Sequence, residues 1–269
     1  MMRFKLPKFT IRQKKSKPKE SCSVTPRIIT FCSPKATGKT TLAAVLSAAL
    51  AGEGQRVACV DFDLYTPDLP VRGYGLDQIV EEVLRGDFNP IATALKLPCL
   101  KPPRVHLLSG PTDTVRAENL GRSELLRLIN ALTEQFDAVV LDTNQTLALE
   151  ATLVALDAAD LIIMPVTPKD NIVRHVGRYL SLMEQGLCLD MQKTRLVLNQ
   201  RVDKKAVLST SDVEYVLGRR IAAEIPYCQG WENWNRENLP PVDGREDLLL
   251  KMINSNVFTE KEVLANGSS

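Results

Sequence analysis

At 269 residues and 44% apolar content, the chain can bury one sizeable α/β core of about 230–240 residues, with tails left over. No run of about 18 apolar residues exists, which excludes a membrane-spanning helix, and the basic N-terminus lacks the apolar stretch of a secretory signal. Six cysteines without C-x-x-C spacing and only two histidines exclude a disulfide frame and a His-rich zinc site; Cys32, Cys59 and Cys188 lie in apolar stretches and read as reduced core thiols of a cytosolic protein.

The net charge of +2 hides an asymmetry: residues 1–20 carry eight cations against Glu20, leaving the remainder acidic by about five charges. Phe4, Leu6, Phe9 and Ile11 alternate with those cations, which favours an anionic membrane surface over DNA as the polyanion met by this arm; a merely solvated tail is the plain alternative. The arm covers 1–25. Beyond it, short apolar runs at 28–32, 57–60, 105–108, 138–141, 161–166, 195–198 and 221–225 predict strands. Their hydrophobicity is continuous rather than alternating, as in strands buried on both faces of a parallel sheet. Between them, apolar residues at three- and four-residue intervals predict helices over 41–51, 76–84, 123–136, 147–156, 171–184 and 211–217. Ser123 and Asp170 read as caps at helix starts, Gly186 and Gly218 as helix ends. Trp231 and Trp234 read as core cover on a short helix, the apolar stretch 248–257 has too few cations for membrane targeting, and 259–269 reads as a flexible tail. Strands alternating with helices predict a three-layer α/β domain over 26–258, a mainly parallel sheet flanked by helices, with its ligand at the carboxyl ends of the strands.

Three strand ends carry chemistry. After the first strand, Ser33-Pro34-Lys35-Ala36-Thr37-Gly38-Lys39-Thr40 leads into the first helix. Strand, tight turn and helix start aim backbone N–H groups and a partial positive charge at a phosphate. Lys39 can reach the β- and γ-phosphates and the Thr40 hydroxyl can ligate Mg²⁺, although Ser33 replaces the first glycine of G-x-x-x-x-G-K-[ST]. The second strand ends in Asp61 and Asp63, two residues apart and so on one side of an extended chain. One carboxylate can hold metal-bound water and one can orient an attacking water, or either can simply cap a turn. Asp142, after Ala138-Val139-Val140-Leu141, has the Walker B pattern of an acid reaching Mg²⁺. Asn199 ends a further strand, where its amide matches the edge of adenine or serves as a turn residue.

These residues together resemble the MinD/ParA family of P-loop ATPases with a deviant Walker A motif, over about 27–242. Segments 213–219 and 225–240 look most like the CpaE/TadZ branch that places pilus-assembly machinery. The resemblance implies a cytoplasmic ATPase, peripheral at the inner face of the membrane, that forms an ATP-dependent homodimer and answers to a protein partner of a membrane-associated assembly; DNA partitioning and a non-hydrolysing nucleotide-bound scaffold are the alternatives. It implies that residues 33–41 bind ATP, with Lys39 on the phosphates, Thr40 on Mg²⁺ and Thr41 on the α-phosphate. Asp61 and Asp142 would serve the metal and Asp63 the hydrolytic water; Asn199 and the backbone near Pro226 would take the adenine. Two departures stand out. The family's signature lysine falls on Pro34, with Lys35 displaced by one position and Lys35 and Ala36 where the family has glycines, so hydrolysis is expected to be weak. A positive φ at those glycine positions would cost about 1–2 kcal/mol. Asn144 follows Asp142-Thr143 where the family usually has proline.

Overall fold

A computed structural model describes residues 26–70, 73–100, 104–200, 208–232, 234 and 237–255. The basic arm over 1–25 and the tail over 259–269 lie outside these residues. Strands β1 (Ile28–Phe31), β2 (Val57–Phe62), β3 (Cys99–Leu100), β4 (Val105–Leu108), β5 (Ala138–Thr143), β6 (Leu161–Val166), β7 (Thr194–Asn199) and β8 (Ile221–Ile225) form one sheet in the order β3-β4-β2-β5-β1-β6-β7-β8. Every pairing is parallel except that of β3 with β4. Helices α1 (Lys39–Gly52), α2 (Leu76–Arg85), α3 (Pro90–Lys96), α4 (Thr114–Ala117), α5 (Arg122–Gln135), α6 (Glu150–Ala158), α7 (Asp170–Ser181), α8 (Thr210–Leu217), α9 (Gln229–Glu232) and α10 (Glu246–Asn254) cover the two faces.

The continuous apolar runs do what their pattern predicts. Every residue of β2, β5 and β6 is buried. Along β5, Val139 and Leu141 pack with α5 and α6, whereas Ala138 and Val140 pack with α1 and α10. The period of two splits each strand between the layers, and three layers result. Residues 248–254 of the stretch read only as apolar at 248–257 lie in α10, with Leu249, Leu250, Met252 and Ile253 buried beside α1.

Some local readings need correction. Ser123 lies inside α5, whose N-cap is Gly121; its hydroxyl donates to Glu124 instead of capping. Asp170 is the first residue of α7 and pairs with Arg174 one turn on (2.8 Å), while Lys169 holds the cap position. Cys188 is not a core thiol: it is exposed, in a turn with φ of 53°, because Gly186 ends the helical segment before it. Trp234 lies beyond α9, though its indole packs beside Leu69 and Leu107. The edge strand β3 and the short helices α3 and α4 were not foreseen; Asn89 and Asp113 cap those helices by accepting from Ala92 and Arg116 N–H.

Candidate functional site

β1 sits between β5 and β6, at the point where the chain's connections turn from one half of the sheet to the other. In open parallel sheets the crevice for a ligand forms at that point, beyond the strands' carboxyl ends. The loop after β1 closes on Gly38, at φ 91° and ψ 26°, the left-handed region that glycine adopts without strain. α1 then begins with neither a side-chain cap nor an acid in its first turn, so its free N–H groups face the crevice's end of the sheet. Lys35 and Ala36 do not adopt positive φ, which removes the strain expected at those positions. The loop instead tightens through Thr37 N–H to the Lys35 carbonyl (2.8 Å).

Ser33, Thr37 and Lys39 are buried, and Pro34, Gly38, Thr40 and Thr41 are partly buried. Lys35 and Ala36 face solvent, so Lys35 does not join the buried cluster of its own chain. Thr40 Oγ1 donates to Asp142 Oδ2 at 2.5 Å, joining the start of α1 to the end of β5. Three buried polar atoms here have no partner among the described residues: Ser33 Oγ, Thr37 Oγ1 and Asp142 Oδ1.

Asp61 stands level with Asp142 on the neighbouring strand. Burial, then the Asp142 charge, holds Asp61 well above the ordinary carboxylate range. Burial likewise pushes Asp142 up to about 7, against the opposing pull of Lys39 and Thr40. Asp61 Oδ1 accepts Asp63 N–H and its Oδ2 accepts Asp68 and Leu69 N–H, all at 3.0 Å. It therefore shapes the turn after β2 as well as facing Asp142. Gly110 lies against this turn: a Cβ there would stand 2.3 Å from Pro67 Cβ and 3.2 Å from Asp61 Cγ. Asp63 accepts Tyr65 and Thr66 N–H, the Thr66 hydroxyl, and the side-chain amide of Asn144 at 2.7 Å.

Asn199, at the end of β7, donates its amide to the Thr37 carbonyl (2.8 Å) and so holds the loop. That bond uses one N–H of the group assigned to adenine. Asn199 also lines a partly open cleft, together with Gly38, Thr41, Tyr227 and Trp231. Tyr227, next to Pro226, lines the wall where the sequence pointed to Pro226. The aromatic lining was missed from sequence, where Trp231 and Trp234 read only as core cover. Their position just past a strand end was the available signal. Trp231 is both: it is buried, and its indole N–H donates to the Pro241 carbonyl at 2.7 Å.

A P-loop between a β-strand and an uncapped helix, on a mainly parallel sheet flanked by helices, is the fold of a P-loop nucleoside triphosphatase, and the likeness to the ParA and MinD structures given below makes it the MinD/ParA type. The AAA domain family (AAA_31) matches residues 26–185, and the chain belongs to it. The septum site-determining protein MinD of Thermotoga maritima is 25% identical over 197 residues, covering 70% of each chain. A ParA family ATPase from Chlorobium tepidum TLS superposes with a TM-score of 0.71 at 20% identity, over 84% of this chain and 98% of that one. MinD from Pyrococcus horikoshii OT3, solved in complex with Mg-ADP, gives 0.66 at 20% identity, over 87% and 99%. Among the described residues, no helix is long and apolar enough to cross a membrane.

Proposed function

We propose that the protein is an ATP-dependent switch: it binds Mg·ATP, hydrolyses it slowly and organises a membrane-associated assembly such as a pilus, secretion or division apparatus. The observation that carries this reading is the set of unpartnered buried atoms, Ser33 Oγ, Thr37 Oγ1 and Asp142 Oδ1, at a loop that also buries Lys39. Each unsatisfied buried polar group costs about 1–3 kcal/mol, so the site is shaped for a partner bearing both oxygens and a cation. The residues fit that group. Lys39 and the free N–H groups at the start of α1 would hold the phosphates, and Thr40 and Asp142 would hold Mg²⁺ with Asp61 behind them. When bound, Mg²⁺ neutralises charge on the phosphate oxygens. Asp63 would orient the attacking water, and Asn199 and Tyr227 would frame the base.

Pro34 in the place of the signature lysine would slow turnover, and Lys35, displaced by one position, would reach the phosphates of a second copy in an ATP-dependent homodimer only on rearrangement of the loop. The ATPase unit runs over 26–258. The basic arm 1–25 meets an anionic membrane surface from the cytoplasmic side, and a protein partner of the assembly sets the rate. The likeness of 213–219 and 225–240 to the CpaE/TadZ branch favours pilus assembly as the process served.

Calorimetry with Mg·ATP tests the foundation. Native protein takes up nucleotide, Lys39→Ala weakens uptake at least about a hundredfold, and Asp63→Ala retains uptake while losing turnover. Absence of uptake by folded protein, or uptake unchanged in Lys39→Ala, overturns the reading. Equal turnover in native and Asp63→Ala protein overturns hydrolysis and leaves a nucleotide-bound scaffold.

A further inference from the structure

Three consecutive residues at the end of β5 each reach a different element. Asp142 meets Thr40 of α1 (2.5 Å), the Thr143 hydroxyl donates to the Phe31 carbonyl of β1 (2.8 Å), and Asn144 reaches Asp63 beyond β2 (2.7 Å). The geometry points to Asn144 as the positioning residue for Asp63, one that ties its carboxylate to the end of β5 and fixes its orientation.

The amide of Asn144 is fixed at both ends. Its Oδ1 accepts the Thr146 N–H (3.0 Å), which turns Nδ2 toward Asp63. Asp63 Oδ1 then receives three donors: Asn144 Nδ2 at 2.7 Å, Thr66 N–H at 2.9 Å and Tyr65 N–H at 3.2 Å. Two lone pairs shared among three donors leave that oxygen saturated. Among the described residues, Asp63 Oδ2 receives only the Thr66 hydroxyl, at 3.0 Å, so it keeps a lone pair for one further donor. Asp63 is buried at 7% exposure and Asn144 is partly buried, so bulk water does not replace the amide freely. Without that bond, the carboxylate is held, among the described residues, by its own turn, residues 63–66, and loses its tie to β5. Asn144 thus couples the strand end that carries Asp142 to the acid assigned to the attacking water. Positioning of this kind matters because displacements of about 1 Å can cost about a hundredfold in rate.

The inference rests on the hydrolytic reading of Asp63, and its test separates the two. In full-length protein, Asn144→Ala is expected to lower kcat for ATP at least about tenfold while leaving KM and the calorimetric affinity for Mg·ATP within about twofold. Asn144→Asp, equal in shape but lacking the donor, is expected to lose at least as much. In an Asp63→Ala background, Asn144→Ala should lower the remaining rate no further, because a residue acting only through Asp63 has nothing left to act on. Amide exchange in nucleotide-free protein supplies a readout independent of turnover. The Tyr65 and Thr66 N–H groups, both bonded to Asp63, should exchange several-fold faster in Asn144→Ala than in native protein. Unchanged exchange at those amides overturns the tether. Unchanged kcat, an effect confined to KM, or a full-sized further loss in the Asp63→Ala background overturns the positioning role. Native protein that binds ATP without turning it over defeats the hydrolytic reading and the positioning role with it, while the exchange measurement still decides the tether.

Discussion

The two ends of strand β5 carry an aspartate each, and the fold treats them in opposite ways. At the amino end, Asp137 accepts from Arg56 three times: the backbone N–H at 2.9 Å, Nε at 3.2 Å and Nη2 at 2.8 Å. Those bonds hold its carboxyl down at about 2. Asp160 does similar work beside it, accepting the Arg27 and Ile28 N–H groups at 2.9 Å. At the carboxyl end, Asp142 is buried beside Asp61, is pushed up to about 7, and keeps one oxygen without a partner. At the amino end of β5, Asp137 is engaged by Arg56 through both carboxylate oxygens. At its carboxyl end, Asp142 keeps one oxygen unsatisfied, at a cost in stability that a bound ligand can repay. An acid with raised pKa beside an unpaired oxygen marks a site; an acid with lowered pKa in a closed hydrogen-bond set marks a clasp.

The contrast breaks first at Asp142. Asp142→Asn should lower Mg·ATP turnover at least about a hundredfold, and yet raise the melting temperature of the nucleotide-free protein at pH 8. The sign follows from linkage. Because the folded pKa lies near 7 and the unfolded one near 3.8, the folded state holds the extra proton between them, so stability falls as pH rises through that window. Melting curves from pH 4 to 8 should show that decline in native protein and a shallower one in Asp142→Asn; parallel curves would remove the distinction between the two strand ends.

A smaller effect is expected from packing at the same end. Gly110→Ala must displace Pro67 or Asp61, so it should cost about 1–3 kcal/mol in denaturant unfolding and weaken Mg·ATP affinity as well. The smallest effect belongs to the clasp. Asp137→Asn should cost about 1 kcal/mol or less, since both partners are largely exposed, and leave nucleotide affinity untouched. Its contribution has the opposite pH course, present above about pH 4 and lost as pH falls toward about 2. A change in nucleotide affinity in Asp137→Asn would show that the amino end is not independent of the site.

How much of this could be read along the chain differs by element. β2, β5 and β6 were legible because burial on both faces demands uninterrupted apolar residues. β3, two residues long and paired antiparallel at the edge, has no pattern to read. α3 and α4 carry their signal in the caps Asn89 and Asp113, not in periodicity, and so were passed over. Cys188 misled because its neighbours Leu187 and Leu189 are apolar while the turn turns the cysteine itself outward. In the site, Lys39, Thr40 and Asp142 were legible through their position at strand and helix ends. The Asn199 bond to Thr37 and the Asn144 bond to Asp63 were not, since each joins residues far apart in the chain.

The order of strands, helices and strand-end acids is a property of the sequence alone, because local periodicity and covalent connection set it. Which acids are left unsatisfied, which oxygen of Asp63 stays open and how the loop at 33–40 avoids strain were decided only by the tertiary structure. Burial and hydrogen-bond partnership depend on what the rest of the chain brings to the same place, and distance along the chain does not record that.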